Sequence, residues 1–203
     1  MTIFDTLSAD KLRDGLDSTI IGREIVVLED TTSTNDSVLE RTSTTTPEGL
    51  VVFAERQTAG RGRRNNSWES APGKGLWFSI LLRPKIEIAS SPQLAEWAAR
   101  TVAETISKEF SLPATIKLPN DVCVAGKKIA GVLVEMRARK SAAHIAIVGI
   151  GVNVNHQPED FSGELGVRAT SLAMALGRQI DRHQFAIALL RNLDRTYGET
   201  LRR

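Results

Sequence analysis

"HIAIVGIGVNVN" (144–155) alternates with period two. Val148, Ile150, Val152 and Val154 fall on one side of a strand; Gly149, Gly151, Asn153 and Asn155 fall on the other. One face is therefore fit for a hydrophobic core, and the other carries almost no side chain. Such a bare face either lets a ligand lie against the backbone or lets a neighbouring element pack closely over the glycines. The pattern alone leaves both open.

Other strands gather around this one. "EIVVLE" (24–29), "LVVFAERQ" (50–57), "LWFSILLRP" (76–84) and "TIKL" (115–118) are rich in branched and aromatic residues. "VCV", the turn "AGKK" and "IAGVLVEMR" (129–137) read as a hairpin. Helices flank the strands. Ser8 caps a short one carrying Leu12 and Leu16, and "NDSVLERT" starts another out of "TTSTND". Residues 92–110 repeat Leu94, Ala98, Val102, Ile106 and Phe110 every four positions, broadened by Trp97. "SLAMAL" (171–176) stops at Gly177, and a last helix repeats Phe185, Leu189, Leu193, Tyr197 and Leu201. "FSGELGVR" (161–168) is expected to be a loop. The result is an α+β fold: a mixed, largely antiparallel central sheet with helices packed on one face.

The composition narrows the function. A chain of 203 residues is expected to form one domain, 1–203, with a real core. Hydrophobic residues at 41% and charged residues at 25% are ordinary globular values. A net charge of +2 does not by itself argue for nucleic acid or membrane, so any electropositive work must be local. One cysteine, Cys123, excludes an internal disulfide framework and fits a reducing cytosol; a core thiol is favoured over a nucleophile. "MTIFDTLSADKLRDG" is no signal peptide, and no apolar run nears the roughly 20 residues of a membrane span. A soluble cytoplasmic protein is the expectation.

Local clustering does occur. "ERQTAGRGRRNNSWESAPGKGLWFS" (55–79) packs Gly60-Arg61-Gly62-Arg63-Arg64 between two strands, with Trp68 beside them. Glycine-containing turns present backbone N–H groups to anions, and guanidinium groups grip phosphate or carboxylate in pairs. This reading predicts that negative charge from outside the chain completes the loop. A solvated basic patch or nucleic-acid arm is the plainer alternative. "PGKGL" is no P-loop, having neither Ser nor Thr after the lysine. Ser33, Thr34 and Asn35 either only cap a helix or also bind a polar ring. Lys117 and Lys128 stand near opposite ends of a hairpin. No His, Asp or Glu spacing suits a metal.

Taken in order, "STND", the Arg/Gly stretch, "KLPNDV", "GKKIAGVLVE" and "GIGVNVN" make residues 25–176 resemble the catalytic domain of the biotin protein ligases. The resemblance implies a class II synthetase-like biotin/lipoate ligase fold and an ATP-dependent reaction with Mg²⁺. Biotin and ATP give biotinyl-5′-AMP, and biotin then passes to a lysine of a biotin carboxyl carrier protein. It implies biotin contacts from Ser33, Thr34, Asn35, Gln57, Gly60, Arg61, Gly62, Arg63, Lys128 and Gly131. Nucleotide contacts would come from Arg63, Arg64, Trp68, Lys117, Asn120, Asp121 and Asn153. Arg63 and Lys128 carry the catalytic charges, no metal-binding residue is assigned, and an edge-strand homodimer is allowed. Leu118 stands where the family usually has Trp, and Asn65-Asn66 where Gly-Arg is common. Neither an N-terminal helix-turn-helix nor a C-terminal SH3-like domain is expected, hence no DNA binding. A lipoate or octanoate ligase or transferase, and a non-catalytic biotin or nucleotide binder, are the alternatives.

Overall fold

The computed structural model describes residues 6–18, 20–138 and 144–201. Its centre is the strand expected from the alternating stretch: β7 (Ile145–Asn153) pairs antiparallel with β3 (Gly75–Leu82) on one side and β6 (Lys127–Arg137) on the other. With β1 (Glu24–Thr31), β2 (Leu50–Gln57), β4 (Ala114–Lys117) and β5 (Asp121–Val124), they form a seven-stranded sheet in the order β1-β2-β3-β7-β6-β5-β4. Only β1 and β2 run parallel, joined through α2 (Thr34–Glu40), because a parallel pair needs a crossover. The mixed, mostly antiparallel sheet is as the sequence predicts.

Alternation sorts the two faces. Val148, Ile150 and Val152 of β7 and Phe78 and Ile80 of β3 face the main core. That core is capped by α3 (Ser91–Phe110) and α6 (Arg182–Thr200), whose Leu94, Ala98, Val102, Phe185, Leu189 and Leu193 are buried there. The short α1 (Ala9–Asp14) begins at Ser8, whose side chain accepts from the Lys11 N–H as expected. The opposite face is not bare. Val38 of α2 packs with Leu50, Val52, Leu81, Ile145 and Ile147 in a second, smaller cluster. Thus α2 lies against the face that carries the glycines, so helices cover both sides.

Residues 161–168 depart from the expected loop: Leu165–Arg168 make a single helical turn, α4, before α5 (Leu172–Leu176). Of its four residues only Leu165 and Val167 carry apolar side chains, both exposed, so the segment gives no periodic signal for a helix.

No helix among the described residues is long and apolar enough to cross a membrane.

Candidate active site

The bare face of β7 becomes a slot. Gly149 and Gly151 of β7 and Gly131 of β6 form its floor, and neighbouring groups come closer than any Cβ would allow. A methyl at Gly149 would lie 2.4 Å from Asn35 Oδ1, and one at Gly151 would lie 2.6 Å from the Trp68 ring. The packing meaning of the glycine pattern is thus realised: α2 packs over Gly149, while Trp68 and the Lys128 side chain lie over Gly131. Lys128 Nζ stands 5.2 Å from the Trp68 ring centroid, a cation–π distance. The cavity that remains measures about 50 Å³.

One end of the slot is polar. Ser33 occupies the N-cap position of α2, yet its side chain makes no capping bond, so it is not spent on the helix. Gln57 Oε1 accepts from the Thr34 N–H at 2.9 Å and lies 3.1 Å from Thr34 Oγ1. Ser79 Oγ reaches Thr34 Oγ1 at 2.7 Å and Asn35 Oδ1 at 2.6 Å, and Asn35 Nδ2 donates to Glu135 Oε2 at 2.6 Å.

The Arg/Gly loop roofs the slot. It is a miniature hairpin, with Trp68 N–H donating to the Gly60 carbonyl, Arg61 bridging Ser67, and Gly62 N–H donating to the Asn66 carbonyl. For Arg61 the chain supplies the anions itself. Arg61 forks onto Asp36 at 2.6 and 2.7 Å and reaches Glu135 at 3.3 Å. The hydrogen bond from Arg61 holds the Asp36 carboxyl below the usual carboxylate range, against the opposing effect of burial. Arg63 Nη1 donates to Asn120 Oδ1 at 3.0 Å, and the Asn120 side chain is fixed by the Val132 carbonyl. Lys128 pairs with Asp121 at 2.7 Å.

Of the residues expected from sequence, Ser33, Thr34, Asn35, Gln57, Arg61, Gly62, Arg63, Trp68, Asn120, Lys128 and Gly131 line this one cavity. Five do not. Gly60 sits at the base of the loop hairpin, where a Cβ would meet the Trp68 carbonyl at 2.5 Å. Arg64 takes a left-handed backbone (φ 55°) and is exposed. Lys117 is exposed opposite Asp121, and Asp121 acts on the slot through Lys128. Asn153 is buried and donates to the Thr170 carbonyl at 3.0 Å, so it secures a loop. Asp36, Ser79 and Glu135 were missed: isolated polar residues in a helix and two strands carry no signal until the fold aligns them. Among the described residues, no group of three His, Cys, Asp or Glu side chains could hold a metal ion.

Comparison with known proteins agrees with this geometry. The model of the biotin/lipoate A/B protein ligase family matches residues 27–153. The bifunctional ligase/repressor BirA of Bacillus subtilis is 42% identical over 176 residues, covering 87% of this chain and 54% of that protein. The chain therefore spans about half the length of that relative. The biotin–[acetyl-CoA-carboxylase] ligase of Mycobacterium tuberculosis is 31% identical, covering 93% of this chain and 70% of the relative. A biotin protein ligase from Aquifex aeolicus, solved in complex with biotin and ATP, superposes with a TM-score of 0.74 at 32% identity, covering 88% of this chain and 73% of that one. This chain belongs to the biotin/lipoate A/B protein ligase family.

Proposed function

We propose that the protein is an ATP-dependent biotin protein ligase. The observation that carries the reading is that Arg63 and Lys128 line the same slot, between a bare glycine floor and the polar pocket of Ser33, Thr34, Asn35 and Gln57. The pocket suits the ureido ring of biotin, the floor suits its apolar chain, and the cations suit the place where two anions must meet. The name and bound molecules of the Aquifex relative point the same way.

In the first step a carboxylate oxygen of biotin attacks the α-phosphorus of ATP. The bond to the β-phosphate oxygen breaks, leaving biotinyl-5′-AMP and pyrophosphate. The main barrier is repulsion between the two anions, which Lys128 and Arg63 offset electrostatically without any covalent enzyme nucleophile. Mg²⁺ enters as part of the nucleotide substrate. In the second step the neutral ε-amine of a lysine on a biotin carboxyl carrier protein attacks the acyl carbon and AMP leaves. The loop roof keeps water from the mixed anhydride meanwhile. A slot of about 50 Å³ is far below the roughly 300–1,000 Å³ typical of ligand sites. Entry of biotin along the floor would then move Trp68, whose ring lies over Gly131 and Gly151.

The test is biotin-dependent exchange of pyrophosphate into ATP, in the wild type and in Lys128→Ala. Wild type should exchange with biotin and not with lipoate. The variant should lose about 100-fold or more in rate while its thermal unfolding stays near wild type, the scale of losing one preorganised charge. Undiminished exchange by Lys128→Ala would remove that side chain from the mechanism. Exchange with lipoate alone would favour a lipoate ligase, and saturable biotin binding without exchange a non-catalytic binder.

A further inference from the structure

Arg61 resembles Arg63 in sequence but has a different situation. Its guanidinium is shared between Asp36, on the first turn of α2, and Glu135, on β6. A cation forked onto one carboxylate and touching a second has little left to offer a third anion. What it does instead is span the slot, joining the helix on one wall to the strand on the other. The same Glu135 oxygen also accepts from Asn35, at 2.6 Å. From there the network runs through Ser79, Thr34 and Gln57 to Ser70 Oγ, which accepts from Gln57 Nε2 at 3.1 Å. Ser70 lies past the far end of the loop, so both ends of the roof are tied to one polar network beneath the ring end of the slot.

We propose that Asp36 and Glu135 are positioning residues for the ligation: they hold Arg61, and with it the loop, over the acyl-adenylate until the carrier lysine arrives. The inference rests on the ligase reading for its kinetic consequence, although the hold itself is a property of the protein without substrates. Because these carboxylates touch Arg61 and not the reacting atoms, their loss should speed escape of the adenylate much more than it slows its formation.

Three measurements on Asp36→Asn, Glu135→Gln, Arg61→Ala and the double variant Asp36→Asn/Arg61→Ala decide it. First, trypsin cleavage in the 61–64 stretch of substrate-free protein should quicken several-fold in Asp36→Asn and Glu135→Gln, with thermal unfolding near wild type. Second, release of biotinyl-adenylate after rapid dilution should rise about three- to ten-fold in each single variant, a size fitting a partly exposed ion pair. Single-turnover formation from biotin and Mg·ATP should change by no more than about two-fold in Asp36→Asn, whose side chain does not line the cavity. Third, the double variant should release adenylate no faster than Arg61→Ala, since both changes remove one contact. Unchanged cleavage and release in Asp36→Asn and Glu135→Gln would overturn the proposal, as would additive effects in the double variant. A wild type that makes no adenylate would sink the ligase reading, while the cleavage rates would still decide whether the carboxylates hold the loop.

Discussion

At Gly149 there is room for a hydrogen atom and for nothing larger. A methyl there would sit 2.4 Å from Asn35 Oδ1, and Asn35 is gripped on both sides by Ser79 and Glu135. Gly149→Ala is therefore expected to cost about 1–3 kcal/mol, the range for an overpacked, closely fitted site. It should also weaken biotin binding; urea denaturation and calorimetric titration measure the two effects. At Gly151 the obstructing group is the Trp68 ring, which sits on a loop and has room to swing. Gly151→Ala should therefore keep a denaturation midpoint nearer wild type. Equal losses from both substitutions would show that α2 and the loop yield alike. The glycine face was legible in the sequence at this scale. Its occupants were not, because Asn35 and Trp68 are distant in sequence and meet the glycines only in the fold.

Among the elements, α6 does more than close the core. Its first residue, Arg182, is 1% exposed and forks onto Glu55 of β2 at 2.8 and 3.2 Å, also donating to the Gly75 carbonyl of β3. Glu55 in turn accepts from the Leu7 N–H at 2.6 Å. Further along, Asp194 accepts from the N–H groups of Ile20 and Ile21. The helix thus pins the segment before β1 to the back of the sheet. Arg182→Met leaves a carboxylate buried without this cation, so a loss of about 3–5 kcal/mol is expected. Adding Glu55→Leu should recover part of it, because the buried charge goes too. If Arg182→Met alone unfolds at the wild-type urea concentration, the pair is not holding α6. The helix itself was evident from its four-residue repeat, whereas its buried ion pair was hidden among ordinary surface-type residues.

Across the whole molecule, the slot continues into a ladder of rings. Trp68 meets Trp77 edge-on with centroids 6.0 Å apart, Trp77 meets His156 at 5.5 Å, and His156 stacks on Phe161 at 5.2 Å. The imidazole is deep in this ladder, and burial lowers its pKa to about 4. The folded state therefore binds fewer protons than the unfolded chain between the unfolded His value of about 6.5 and about 4. Stability from this group is full above about pH 6.5 and is lost as pH falls through the folded pKa, a loss on the order of 3 kcal/mol. His156→Phe keeps a ring in the ladder and should lose visibly less stability than wild type between pH 7 and about 4.5. Parallel losses in the two proteins, followed by urea denaturation, would assign the acid sensitivity elsewhere.

Local periodicity determined the strands and long helices, since burying one face is a demand each segment meets with its own residues. Motif order likewise singled out the loop, the polar pocket and Lys128. Charge balance is a property of space rather than of chain order, and only the tertiary structure could decide it. It set Asp36 and Glu135 against Arg61, turned Asn153 toward the Thr170 carbonyl and left Arg64 and Lys117 outside the slot. Coulomb and hydrogen-bond energies depend on a few ångströms between residues about 25 to 75 positions apart, a distance that no reading along the chain contains.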